Sequence, residues 1–406
     1  MAIRPSHLKG AARLATDATA GLADLVEAMH ERIARLPGVP PPKIEGRTRG
    51  ITGLVYRSIR GVTQLVGGSL ETLLGVLEPA LRADESQAER EPLRAALNGV
   101  LGDYLAASAN PLAIPMALRR DGRALPMERD ALAARLPEAT GRVLVLIHGL
   151  CMSDLQWSRE GHDHGATLAR DLGFTPVYLN YNSGLHVSIN GHALAQRLEQ
   201  LIDCWPRPLE RIVLIGHSMG GLLARSAFHT AALAGLRWPV RVSDMVFLGT
   251  PHHGAPLERA GHWVDRLLGA TAYSAPFARL GKLRSAGITD LRFGNLVDED
   301  WVGRDRYSHS DDRRRPVPLP RGVRCYAIAA ALGTKARARG VRTAGDGLVP
   351  VDSALGRHAD AARNLHFAKD RQWIAQGVGH LDLLRDAGVH ARLHGWLMPG
   401  SRRHEA

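Results

Sequence analysis

From Leu8 to Leu36 apolar residues return at helical spacing (Leu8, Ala11, Ala15, Ala18, Leu22, Leu25, Met29, Leu36), and Pro37 with the proline-rich run to Pro42 ends the pattern. A broader apolar face follows between Ile51 and Leu77, carried by Leu54, Val55, Ile59, Val62, Leu65, Val66, Leu70, Leu73 and Val76 and stopped by Pro79. A shorter helix is predicted from Leu93 to about Leu105. Residues 1–110 therefore read as an amphipathic helical region. Such stripes are usually buried within their own protein, and Gly61, Gly67 and Gly68 suit close helix contact. The other reading lays these helices on a lipid surface, with Arg57 and Arg60 toward headgroups.

After Pro111 the period changes. Met116 to Leu125 reads as two short strands joined at Asp121-Gly122, a strong hairpin signal. Short apolar runs then alternate with helical stretches: Val143 to Ile147, Val177 to Leu179, Ile212 to Ile215, Met245 to Leu248, Val323 to Ala330 and Trp373 to Val378. This alternation predicts an α/β domain over 111–400, a mainly parallel sheet flanked by helices. A helix from Pro256 to Leu268, with Leu257, Ala260, Val264, Leu267 and Leu268 on one face, falls in a cap or lid segment expected around 255–320. Arg304 to Arg315 reads as a surface loop.

Composition narrows the class. With 406 residues, 45% hydrophobic and 23% charged, the chain can build a packed core and extends beyond one ordinary domain. Its +12 charge is spread along the chain, which argues against nucleic acid as a partner and leaves anionic surfaces or substrates as company. Three scattered cysteines (Cys151, Cys204, Cys325) suggest neither a disulfide framework nor a zinc knuckle. No apolar h-region follows the N-terminus, so a cytoplasmic location, peripheral to a membrane if the helices bind lipid, is expected.

The chemistry concentrates in Arg211 to Arg225, where a buried strand runs into Gly216-His217-Ser218-Met219-Gly220 and then a helix. G-x-S-x-G in that context is a nucleophile elbow: the turn is so tight that side chains at Gly216 and Gly220 would collide, and Ser218 is held up at a helix N-terminus. An oxyanion needs two backbone N–H donors. One is expected from Met219 and the other from Leu150, in the loop after the strand ending at Ile147. His148 is read as bracing that loop and Gly149 as shaping its backbone; both, with His217 and His253, are candidates for lining the pocket.

Five stretches together, His148-Gly149-Leu150, Gly216 to Gly221, Gly249-Thr-Pro-His-His-Gly254, Gly345-Asp-Gly-Leu-Val-Pro350 and Gly379-His-Leu-Asp382, resemble the α/β-hydrolase superfamily. Within it the likeness is to bacterial lipases and GPI inositol-deacylase-like esterases, over about Gly141 to Leu384. The resemblance implies an α/β-hydrolase fold with a triad in the chain order serine, acid, histidine, and cleavage of carboxylic esters without a cofactor. Carried onto this sequence, the acid is Asp346 and the base His380, with Asp352 and Asp298 as rival acids and His358, His366 and His390 as rival bases. Asp382 is weighed as a calcium ligand against the simpler reading of a helix-start carboxylate; no metal is expected.

The expected activity is a serine hydrolase acting on ester or lipid-like small molecules through an acyl-enzyme. Thioesterase, amidase and acyltransferase chemistry use the same parts, and a non-catalytic membrane- or partner-binding role is the alternative from another class. Oligomeric state is not legible.

Overall fold

The computed structural model describes residues 91–255, 285–304, 312–333 and 345–398. The helices expected over 8–36 and 51–77, the helix from Pro256 to Leu268 and part of the arginine-rich loop lie outside the described residues. The third expected helix is α1 (Glu91–Ala107). The hairpin follows as β1 (Ala117–Arg120) and β2 (Arg123–Ala124), and both turn residues, Asp121 and Gly122, take positive φ, as a tight two-residue connection requires. Then come α2 (Arg129–Arg135), β3 (Arg142–Ile147), α3 (His164–Leu172), β4 (Thr175–Asn180), α4 (Val187–Cys204), β5 (Arg211–His217), α5 (Met219–Leu233) and β6 (Val242–Leu248). The remainder comprises α6 (Ala286–Asp290), β7 (Arg324–Ala331), α7 (Val351–Ala354), β8 (Gln372–Gln376) and α8 (Ala387–Leu397).

The strands form one sheet in the order β2-β1-β4-β3-β5-β6-β7-β8. Pairings from β4 through β8 are parallel, while β1 pairs antiparallel with β2 and with β4. A parallel sheet is covered on both faces, and its strands are apolar on both. Accordingly Val143, Val145, Ile147, Ile212, Leu214, Met245 and Phe247 pack on one side with α1, α4 and α5. Their alternates Leu144, Leu146, Val213, Ile215, Val246 and Leu248 pack on the other with Leu168 and Leu172 of α3 and Val389, Leu393 and Leu397 of α8.

Helix α1 is built into the first of these cores. Ala96, Leu97, Val100, Leu101 and Leu105 are buried in it. Asn98 closes the following turn by accepting from the Ile114 amide and donating to the Leu112 carbonyl. The Glu91 carboxylate accepts from Asn180 Nδ2 at 2.7 Å and pairs with Arg119 at 3.0 Å. Asp382 is not the start of the last helix: Asp382–Leu384 is a 3-10 turn, and Asp386 caps α8 by accepting from the Val389 amide at 2.9 Å. Among the described residues no helix is long and apolar enough to cross a membrane.

Candidate active site

The chain turns from β5 into α5 at Ser218, whose φ of 53° and ψ of −125° lie in a region a side chain takes only when its surroundings force it. The surroundings do so because the turn is closed by backbone. A methyl group at Gly216 would stand 2.5 Å from the Gly221 Cα, and one at Gly220 would stand 2.6 Å from the His148 carbonyl oxygen. The Ser218 amide donates to the Leu248 carbonyl at 2.8 Å, tying the elbow to the end of β6. Met219 opens α5, so its N–H belongs to the first-turn amides that have no partner within a helix.

The loop after β3 lies against this elbow: a methyl at Gly149 would be 3.0 Å from the Ser218 Cβ and 3.3 Å from His217 Nδ1. Leu150, the proposed second donor, follows and is buried. His148 sits behind the loop. Its ring stacks on Tyr181 at 4.4 Å and its carbonyl accepts from the Tyr181 hydroxyl at 2.9 Å. Complete burial pushes its pKa down to about 4, so it is neutral at pH 7 and braces the loop, as its position in the sequence suggests. Cys151, with φ of 59°, bonds through its amide to Ser183 Oγ at 3.0 Å. Helix α1 abuts the same residue, since a methyl at Gly99 would come within 2.8 Å of the Cys151 Cα. Helix α1 thus backs the loop that carries Leu150.

His380 stands after β8. Its Nδ1–H donates to Asp346 Oδ2 at 2.7 Å, which leaves Nε2 as the ring atom bearing the lone pair. The other carboxylate oxygen of Asp346 accepts from the Leu348 and Val349 amides at 2.9 and 2.8 Å. His217 holds the base from behind, donating from Nε2 to the His380 carbonyl at 3.0 Å with the rings 4.8 Å apart. Gly249, in positive φ, leaves room for the imidazole, since a methyl there would be 3.2 Å from Cε1 and Nδ1 of His380. Ser218, Asp346 and His380 are each about nineteen-twentieths buried, at 6%, 4% and 5% exposure.

The rivals lie elsewhere. Asp352 is half-buried and 3.6 Å from Arg357. Asp298 is 3.7 Å from the exposed His192. His358 accepts from the Asp360 amide, and His366 meets Asn364 on the surface. His253 turns toward Arg314 and His358, and burial holds its pKa down at about 4. The Asp382 carboxylate is taken up by Arg385, at 2.8 and 3.0 Å, and by the Gly379 amide at 3.3 Å, so it braces the loop before His380. The role of His217 as the carbonyl anchor of His380 was not readable from sequence, because 163 residues separate the partners.

Residues 138–312 match the family described as a PGAP1-like alpha/beta domain. No curated protein matches the chain in sequence. Among solved structures, similarity extends to a mature Bacillus licheniformis lipase, BlEst2, at 20% identity and a TM-score of 0.35, covering 60% of this chain and 86% of that one. The Pyrococcus furiosus esterase Pf2001 is similar at 13% identity and a TM-score of 0.37, with 64% and 81% covered. RedJ, a thioesterase from the prodiginine biosynthetic pathway in Streptomyces coelicolor, is similar at 16% identity and a TM-score of 0.36, with 64% and 86% covered. Strand order, elbow and family match agree on an α/β-hydrolase fold.

Proposed function

We propose that the protein is a serine hydrolase of carboxylic esters, with Ser218 as nucleophile, His380 as general base and acid, and Asp346 as the residue that orients the base. One observation carries the reading. The Asp346–His380 hydrogen bond leaves the Nε2 lone pair of a buried imidazole free, and His217, the chain neighbour of the strained Ser218, donates to the His380 carbonyl. In the first half-reaction Ser218 Oγ bonds to the ester carbonyl carbon and its proton passes to His380 Nε2. The Leu150 and Met219 amides hold the oxyanion, and the protonated base returns its proton to the departing alkoxide as the ester C–O bond breaks. Water, deprotonated by the same imidazole, then releases the acyl group as the acid.

The Leu150 and Met219 side chains are buried among apolar residues, and the proposed substrate is an ester with an apolar acyl part. The test is labelling of the full chain with a fluorophosphonate, wild type beside Ser218→Ala and His380→Ala, followed by hydrolysis of p-nitrophenyl esters of increasing chain length. Labelling and hydrolysis lost together in both variants would support the serine mechanism, and the chain-length profile would separate esterase from lipase. A wild-type protein that takes no label and cleaves no ester, with or without detergent, would sink the reading.

A further inference from the structure

On the face of the sheet formed by α3 and α8, three histidines converge that the proposed ester chemistry does not use. His162 and His164 flank Asp163, the N-cap of α3, and His390 comes from α8, more than 220 positions along. One donor nitrogen from each lies within 4.8 Å of the other two, and among the described residues no other group of metal-ligating side chains is so arranged. The His164 and His390 rings are stacked nearly parallel with centroids 5.6 Å apart, and His162 stands edge-on to both, at 4.5 and 5.2 Å.

The hydrogen bonds say which nitrogens are free. His164 Nε2 faces the Leu383 carbonyl at 2.9 Å and must donate to it, so Nδ1 bears the lone pair. A backbone carbonyl bound to the far nitrogen is how a ligating histidine is usually oriented. His164 Nδ1 accepts from His162 Nε2–H at 2.7 Å, a proton that an ion would displace as His162 moves to its other tautomer. His390 Nδ1 is buried and makes no hydrogen bond, an orphan that an ion in the cluster would account for.

We propose that His162, His164 and His390 form a binding site for a divalent transition-metal ion, with zinc as the fitting choice. Three imidazoles without a carboxylate suit zinc, copper or nickel and not calcium or magnesium. Tetrahedral zinc with Zn–N bonds of about 2.0–2.1 Å sets its ligand nitrogens ~3.3 Å apart. The observed separations, 2.7 Å for one pair and up to 4.8 Å overall, bracket that value. Closing on the ion takes a rotation of His162, which lies half-buried on the Arg159–His162 bridge. Its exposure leaves the fourth position open to water. Asp171 is engaged by Arg170 at 2.8 Å, and the Asp163 carboxylate accepts from the Ala166 amide and the Tyr178 hydroxyl, both at 2.9 Å. The ion would clamp the segment leaving the Leu150 loop to the last helix. Through the Leu383 carbonyl it would brace the turn three residues beyond His380.

The untagged full-length protein, stripped with EDTA and dialysed, is titrated with zinc sulfate. Bound metal is measured by mass spectrometry, and thermal unfolding is followed in parallel. Wild type is expected to bind one equivalent more than either His162→Gln or His390→Gln, both substitutions being at half-buried positions that leave the core intact. Its unfolding midpoint is expected to rise by roughly 5–10 °C at zinc a hundredfold above Kd, with no such rise in the variants. Cobalt(II) in place of zinc should give the intense visible absorption of a tetrahedral site in wild type alone. Equal stoichiometry and equal midpoint shifts in wild type and both variants would overturn the proposal, as would a wild type that binds no zinc at micromolar concentration.

Discussion

Asp346→Asn separates the orientation of the base from everything else the carboxylate does. Asp346 Oδ1 receives two backbone N–H groups, from Leu348 and Val349 at 2.9 and 2.8 Å. An amide nitrogen cannot accept them, so the Asn carbonyl oxygen must take that place and the NH2 group must face His380 Nδ1. It can only donate there. The imidazole must then accept at Nδ1 and carry its proton on Nε2, the atom that takes the proton of Ser218 in the proposed mechanism. The expected loss is about 10⁴-fold in kcat, the scale of a triad held in the wrong tautomer, or about 5.4 kcal/mol of transition-state stabilisation. Stability should fall far less, by about 1.5–3 kcal/mol for one charge-assisted hydrogen bond, because the two amides keep their acceptor. The assay is p-nitrophenyl ester hydrolysis under saturating substrate beside a urea titration. A kcat within tenfold of wild type, in a protein that still unfolds cooperatively, would refute the claim that Asp346 sets the tautomer.

Three further outcomes follow from the packing. Leu97→Ala in α1 should cost about 2–5 kcal/mol in chemical denaturation, because Leu97 is wholly buried in the sheet core; a cost under about 1 kcal/mol would detach α1 from that core. Gly216→Ala sets a methyl 2.5 Å from the Gly221 Cα, where only backbone could yield; an expected cost of about 1–3 kcal/mol or more should appear as a lowered urea midpoint together with lost fluorophosphonate labelling. His148 supplies a pH prediction. Its folded pKa, about 4, is below the unfolded value of 6.5, so below pH 6.5 the unfolded chain binds more protons and stability drains away as pH falls toward 4. Between pH 7 and pH 5 this one ring should remove about 2 kcal/mol, and His148→Gln should lose correspondingly less than wild type over the same interval in paired urea titrations.

Features that depend on a few adjacent residues were legible in the chain itself. The elbow could be read because strand, Gly216-x-Ser218-x-Gly220 and helix are contiguous and because the steric demand on the glycines is local. The same holds for the Asp121-Gly122 hairpin and for the short apolar runs alternating with helical stretches that predict a parallel sheet. The order serine, aspartate, histidine came from resemblance, and the structure brings Asp346, but neither Asp352 nor Asp298, to hydrogen-bond with His380. Other decisions belong to contacts between distant segments. No periodicity tells that α1 backs the Leu150 loop through Gly99, that His217 anchors the His380 carbonyl, or that His390 meets His162 and His164. Helix and turn preferences act over a few residues, whereas these pairings exist only after the sheet order has folded remote stretches of chain onto one another.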